Sequence, residues 1–135
     1  MKWVPDRTGR FERRPYYEQD ELDGECERLI AEFLVEFYGQ MLVPIPTGAL
    51  LKLIERDAAD LDLYADLSGE GEGVEGVTYF FTMGRSKVRI LRALTEQKHR
   101  AHRLRNILAH EYAHVRLHSD LWRGRKRVNR ARMPW

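Results

Sequence analysis

The chain has a single cysteine and no long apolar run, and these two scarcities exclude several classes of protein. With only Cys26 among 135 residues, neither an intramolecular disulfide nor an all-cysteine zinc site can form. No apolar stretch approaches the roughly 18 to 20 residues that a membrane helix requires. The N-terminal residues 1–15 are charged and contain no apolar signal region. We therefore expect a cytoplasmic protein without membrane association.

Acidic residues are scarce in the C-terminal part of the chain. Residues 1–83 carry a net charge of −10, whereas residues 84–135 carry +12. Six of the ten residues from Arg123 to Arg132 are Lys or Arg. Either the two halves attract each other within one fold, or the basic segment meets an anionic partner such as nucleic acid. A solvated basic tail over residues 119–135 is the simpler interpretation.

Hydropathy patterns predict an α+β fold in one domain spanning residues 1–135. The expected architecture is three main helices with a small antiparallel β-hairpin or three-stranded sheet, preceded by an extended arm over residues 1–18. Apolar spacings of three and four predict the helices, and β-branched or alternating segments predict the strands. The helices are expected at Asp20–Tyr38, Gly48–Ala59 and Glu96–His118, and the strands at residues 61–67, Val77–Met83 and Lys87–Leu91.

The third predicted helix contains the pattern His-Glu-x-x-His. His110 and His114 are four residues apart, so both imidazoles lie on one helix face and can bind one ion. Glu111 is rotated by about 100° from His110, which suits a general base beside a water molecule activated by zinc. Because the chain has five histidines, a chance arrangement is the competing interpretation. The apolar residues on both sides of the motif favour a metal site. Burying two histidines and a glutamate side by side without a common function would cost free energy.

A zinc hydrolase needs a third protein ligand, and the sequence leaves its identity open. His118 lies about 12 Å beyond His110 by helical rise, so it requires the helix to end or bend. Asp120 is the only carboxylate after Glu111. His118 and Asp120 are equal candidates for the third ligand. The remaining alternatives are an acid from the N-terminal region, such as Asp57 or Glu75, or no third ligand at all. A helix-end histidine that meets backbone carbonyls is the simplest role for His118.

The segment from Arg103 to His118 resembles the ImmA/IrrE family of small bacterial and phage zinc metallopeptidases. The shared pattern is an arginine, then Leu-Ala-His-Glu-x-x-His, then three residues and a further histidine. The order of a helix, a proline-containing link, a second helix, a hairpin and the motif helix is also similar. The resemblance covers roughly residues 25–120 and is specific over about residues 103–118.

The resemblance implies a zincin-like fold of the gluzincin type, with zinc on His110 and His114 and Glu111 as general base. It also implies a cytoplasmic substrate, often a helix-turn-helix repressor of mobile elements or stress genes, and a phage or mobile-element origin. Two departures stand out. Ala113 replaces the family's usual glycine, and the family's third ligand is a glutamate some 25 to 30 residues after the motif, whereas only 21 residues follow His114.

Three functions follow as expectations. The first is a zinc-dependent endopeptidase acting on a cytoplasmic protein such as a helix-turn-helix repressor, with the strand Val77–Met83 aligning an extended substrate. The second is a metal-containing module that binds a protein without cutting it, because the usual third acid is missing. The third is a nucleic-acid binder that uses Arg123–Arg132.

Overall fold

The structure is a computed structural model that describes residues 1–9, 11–81 and 84–119. Within these ranges the predicted α+β class is confirmed, with four α-helices and two small sheets. The helices are α1 (Gln19–Tyr38), α2 (Thr47–Asp57), α3 (Arg92–Glu96) and α4 (Ala101–Leu117), and the strands are β1 (Lys2–Pro5), β2 (Arg13–Tyr16), β3 (Asp60–Ala65), β4 (Gly76–Tyr79) and β5 (Lys87–Leu91). The chain divides into two compact units, one from Met1 to Val43 and one that begins at Pro44.

The first unit begins with a two-stranded antiparallel sheet where the sequence predicted an extended arm. β1 pairs with β2 throughout. Asp6 closes the connection, because its carboxylate accepts hydrogen bonds from the Thr8 hydroxyl at 2.7 Å and from the Phe11 amide at 3.1 Å. Lys2–Pro5 and Arg13–Tyr16 are thus extended as expected, but they pair with each other, and Phe11 is buried.

Helix α1 matches the predicted helix closely. Its N-terminus is closed by a capping box in which Glu18 and Glu21 bond each other's backbone amides. It ends at Gly39, whose φ of 75° is a conformation that favours glycine. The apolar residues spaced by three and four form its buried side: Leu29, Ile30, Phe33 and Leu34.

The second unit is built around a mixed three-stranded sheet in the order β3-β5-β4. β4 and β5 form the predicted antiparallel pair, while β3 runs parallel to β5. β4 therefore lies at an edge of this sheet within the described chain. One face carries a core cluster of Ala65, Leu67, Val77 and Tyr79.

Helix α4 packs on β4 and on α2. The sequence predicted one helix from Glu96 to His118, but α3 ends at Glu96 and α4 begins at Ala101. Gln97 interrupts the helix because its backbone is extended, and the Thr95 hydroxyl holds α3 to β3 through a 2.7 Å bond to the Leu63 carbonyl. No helix in the described ranges is long and apolar enough to cross a bilayer.

Candidate metal centre

The two histidines of the motif lie together on α4, as their spacing predicted. The ring centres of His110 and His114 are 4.9 Å apart, and the ring planes stand at 83°. Two imidazoles that bind one tetrahedral zinc at about 2.0–2.1 Å per nitrogen have ring centres roughly 5 Å apart. His110 is exposed and His114 is buried, with only 9% of its surface exposed. The separation is therefore compatible with two ligands of one ion at the boundary between the core and solvent.

Glu111 lies on the neighbouring side of α4, against strand β4. Only 4% of its surface is exposed. The hydroxyl of Thr78 donates a 2.6 Å hydrogen bond to Glu111 Oε2, which fixes the carboxylate in one orientation. Because α4 packs on β4, this bond links the carboxylate to the sheet.

The close approach of α4 to β4 depends on Gly76. A Cβ atom at this position would lie 2.7 Å from Ile107 Cγ2 and 3.0 Å from both Cγ and Oε1 of Glu111. Any side chain here would push against the helix that carries the motif. Gly76 thus sets the distance between the edge strand and the candidate base.

A hydrogen-bonded cluster anchors the side of α4 away from the histidines. The Tyr112 hydroxyl donates a 2.7 Å bond to Asp57 Oδ2, and Arg56 and Arg116 lie beside the same carboxylate at 3.0 Å and 3.7 Å. Burial alone would raise the pKa of Asp57, but the bonds from Arg56 and Tyr112 and the nearby arginine charges hold it below its usual value. Burial, together with the bond to Asp57, raises the pKa of Tyr112. These groups connect α4 to α2.

An exposed ion pair holds the start of α4 to the segment before β4. Arg103 donates two hydrogen bonds to the carboxylate of Glu75. This contact lowers the pKa of Glu75, so the carboxylate stays ionised. Glu75 is therefore committed to Arg103 and lies outside the histidine pair.

The third ligand is not found among residues 1–9, 11–81 and 84–119, where no set of three His, Cys, Asp or Glu is arranged to hold a metal. His118 follows the last residue of α4, and its Nδ1 lies 2.9 Å from Nδ1 of His114. It thus contacts one histidine of the pair through a ring-to-ring hydrogen bond. Asp57 is bound by Tyr112 and Arg56, and Asp120 lies outside the described residues, as does the basic segment Arg123–Arg132.

Thr78 and Gly76 contact or face Glu111 in the structure, but the sequence pattern did not identify either residue. Gly76 was not singled out, because local sequence does not distinguish a glycine needed for a close approach from a glycine in a turn. Thr78 lies between Val77 and Tyr79 in β4, so its side chain is on the opposite face of the strand from theirs. Nothing in the sequence showed that this face would meet Glu111, 33 residues away.

The arrangement brings together two histidine rings, a buried carboxylate and an edge strand. The separation and chemistry of the histidine pair are compatible with a zinc ion, of which His110 and His114 would be two protein ligands. Comparison of the chain with known protein families, with curated proteins and with solved structures finds no match.

Proposed function

We propose that this protein is a zinc-dependent endopeptidase with Glu111 as its general base and His110 and His114 as metal ligands. The observation that carries the proposal is the 4.9 Å separation of the two rings, one turn apart and next to a buried carboxylate. The resemblance of Arg103–His118 to the ImmA/IrrE family supports the same chemistry. A zincin-like arrangement of sheet and motif helix forms part of the proposal.

Zinc, when bound, supplies the Lewis acidity that polarises a peptide carbonyl and lowers the pKa of water towards about 7. Glu111 takes the proton of the attacking water and passes it to the leaving amine. Thr78 keeps Glu111 Oε2 in position through its 2.6 Å bond during both transfers. Because Glu111 is shielded from solvent, competing water has little access to the proton it carries.

Strand β4 gives the substrate a place to bind. It lies at the edge of the β3-β5-β4 sheet, and an extended peptide can add to such an edge through backbone hydrogen bonds. Its residue Thr78 contacts Glu111 directly. A peptide lying along β4 therefore brings its carbonyl groups close to the base. An unfolded or loop segment of a cytoplasmic protein, such as a helix-turn-helix repressor, is the expected substrate.

The test is the substitution Glu111→Gln, which keeps the shape of the side chain and removes the base. We expect zinc content to stay unchanged by elemental analysis, while cleavage of unfolded casein and of candidate repressors falls by about a hundredfold or more. Glu96→Gln is the matched control, because Glu96 is exposed and pairs with Arg92 away from the site. The control should retain full activity.

Three results would count against the proposal. Full activity of Glu111→Gln would remove the base from its assigned role. A purified protein that takes up no zinc would contradict the assignment of His110 and His114 as metal ligands. A zinc-loaded protein that binds repressors but cleaves none would favour the second candidate, a metal-containing module that binds without catalysis.

A further inference from the structure

A cavity of about 390 Å³ lies beside the C-terminal end of α4, on the side of the helix away from His110. Arg116, two residues after His114, points about 200° around the helix from that histidine. The cavity is bounded by α2, the turn before β5 and the end of α4. The described residues that line it are Arg56, Asp57, Gly84, Arg85, Ser86, Val115, Arg116 and Ser119.

The cavity wall carries an excess of positive charge. It holds the guanidinium groups of Arg56, Arg85 and Arg116 but a single carboxylate, that of Asp57. Asp57 stays ionised at neutral pH because its pKa lies below the usual range, and Tyr112 beside it stays neutral. The described lining therefore carries two more positive charges than negative ones. Like charges around a shared space repel, so a bound anion would stabilise this arrangement.

The three guanidinium groups come from three different elements and are held in place. Arg56 bonds both oxygens of Asp57 at 3.0 and 3.1 Å, and Arg85 donates a 2.8 Å bond to the Arg56 carbonyl. Arg116 approaches Asp57 at 3.7 Å, which is an ion-pair distance longer than a hydrogen bond. A guanidinium has five N–H donors in a planar fork, so Arg85 and Arg116 have donors left for a further acceptor.

Two hydroxyl groups add neutral polar contacts to the wall. The Ser86 and Ser119 side chains meet at 2.6 Å across the turn and the end of α4. Ser86 is buried, with 3% of its surface exposed. Serine hydroxyls accompany arginines at many oxyanion sites because they donate to oxygen without adding charge.

We propose that this cavity binds a phosphate group, either as the free anion or as a small phosphate monoester. Guanidinium forks match the geometry of phosphate oxygens, and a dianion offsets the two excess charges. The volume lies in the range of about 300–1,000 Å³ typical of small-molecule sites, which favours a small ligand over a long polyanion. The site does not depend on zinc or on Glu111, so it stands apart from the proposed peptidase activity.

The test is a calorimetric titration of the full chain with inorganic phosphate and with phosphoserine at low ionic strength. We expect Arg85→Gln and Arg116→Gln each to weaken phosphate binding by about tenfold, the usual effect of losing one charge-assisted hydrogen bond. Arg92→Gln is the matched control, since Arg92 is exposed on α3 and pairs with Glu96. The control should bind as tightly as the wild type.

A duplex DNA of 20 base pairs provides the opposing arm of the test. Binding of phosphate or phosphoserine that is weakened about tenfold in both cavity variants, with DNA binding unchanged, supports the proposal. Absence of saturable phosphate binding to a folded wild-type protein overturns it. Binding of DNA alone, weakened equally by Arg85→Gln and Arg92→Gln, also overturns it and indicates a general basic surface. Circular dichroism of each variant checks that the fold is intact.

Discussion

Two carboxylates beside α4 have contrasting partners. Glu111 is buried against β4 and accepts a hydrogen bond from the neutral hydroxyl of Thr78. Asp57, near the other side of the helix, is bonded by Arg56 and by the hydroxyl of Tyr112. The arginines hold the Asp57 carboxylate in its ionised form, which suits a structural anchor. One helix thus carries a buried carboxylate bonded by a neutral hydroxyl on one side and a charge-paired anchor on the other.

The largest expected effect comes from removing one of the two proposed nitrogen ligands. His114→Ala should lower the affinity for zinc by on the order of a thousandfold, because a buried ligand is lost from a site with few others. Competition with a chromophoric chelator measures this affinity. His102→Ala, an exposed position on the same helix, is the control and should bind zinc normally. Equal zinc affinities of the two variants would contradict the assignment of His114 as a metal ligand.

A smaller effect on zinc is expected at His118, which contacts His114 but lies beyond the end of α4. A hydrogen bond to the second ring nitrogen orients a histidine ligand, and its loss weakens metal binding by about 10- to 100-fold. His118→Ala should show this loss in the chelator competition, with the cobalt(II) absorption spectrum unchanged in shape. A changed spectrum would identify His118 as a direct ligand instead.

The packing between α4 and β4 is tested by Gly76→Ala. The added Cβ meets Ile107 Cγ2 at 2.7 Å, so we expect a loss of about 1–3 kcal/mol in the free energy of unfolding. Gly48→Ala is the control, because Gly48 lies in α2 and a Cβ there meets nothing within 4 Å. The control should be stabilised by about 0.5–1 kcal/mol. Urea denaturation compares the two, and equal stability would mean that the helix does not approach the strand at Gly76.

The smallest effect concerns the charge-paired anchor and depends on pH. The folded-state pKa of Asp57 lies below its ordinary value of 3.8. Its stabilising contribution is therefore complete above that value and is lost as the pH falls through the folded-state pKa. Asp57→Asn should cost about 1 kcal/mol at pH 7, and the difference from the wild type should shrink below about pH 4. Urea denaturation from pH 7 to pH 3 measures this difference in the free energy of unfolding, with Asp60→Asn as the exposed control. A difference that stays constant with pH would contradict the role of Asp57 as a charge-paired anchor.

The sequence by itself determined the local features of this protein. The spacing of apolar residues indicated α1 and α2 almost to their ends, and the four-residue spacing placed His110 and His114 on one helix face, because helical periodicity is a local property. It did not reveal the break at Gln97, because tertiary contacts such as the Thr95–Leu63 hydrogen bond hold α3 apart from α4.

Tertiary structure alone decided the contacts between segments that are distant in the chain. Thr78 meets Glu111 across 33 residues, Asp57 meets Tyr112 across 55, and Gly76 permits the helix to approach the strand. Tertiary structure also decided that β3 pairs in parallel with β5 and that three arginines line one cavity. Residue patterns encode the faces of helices and strands, but which faces meet depends on how the whole unit packs.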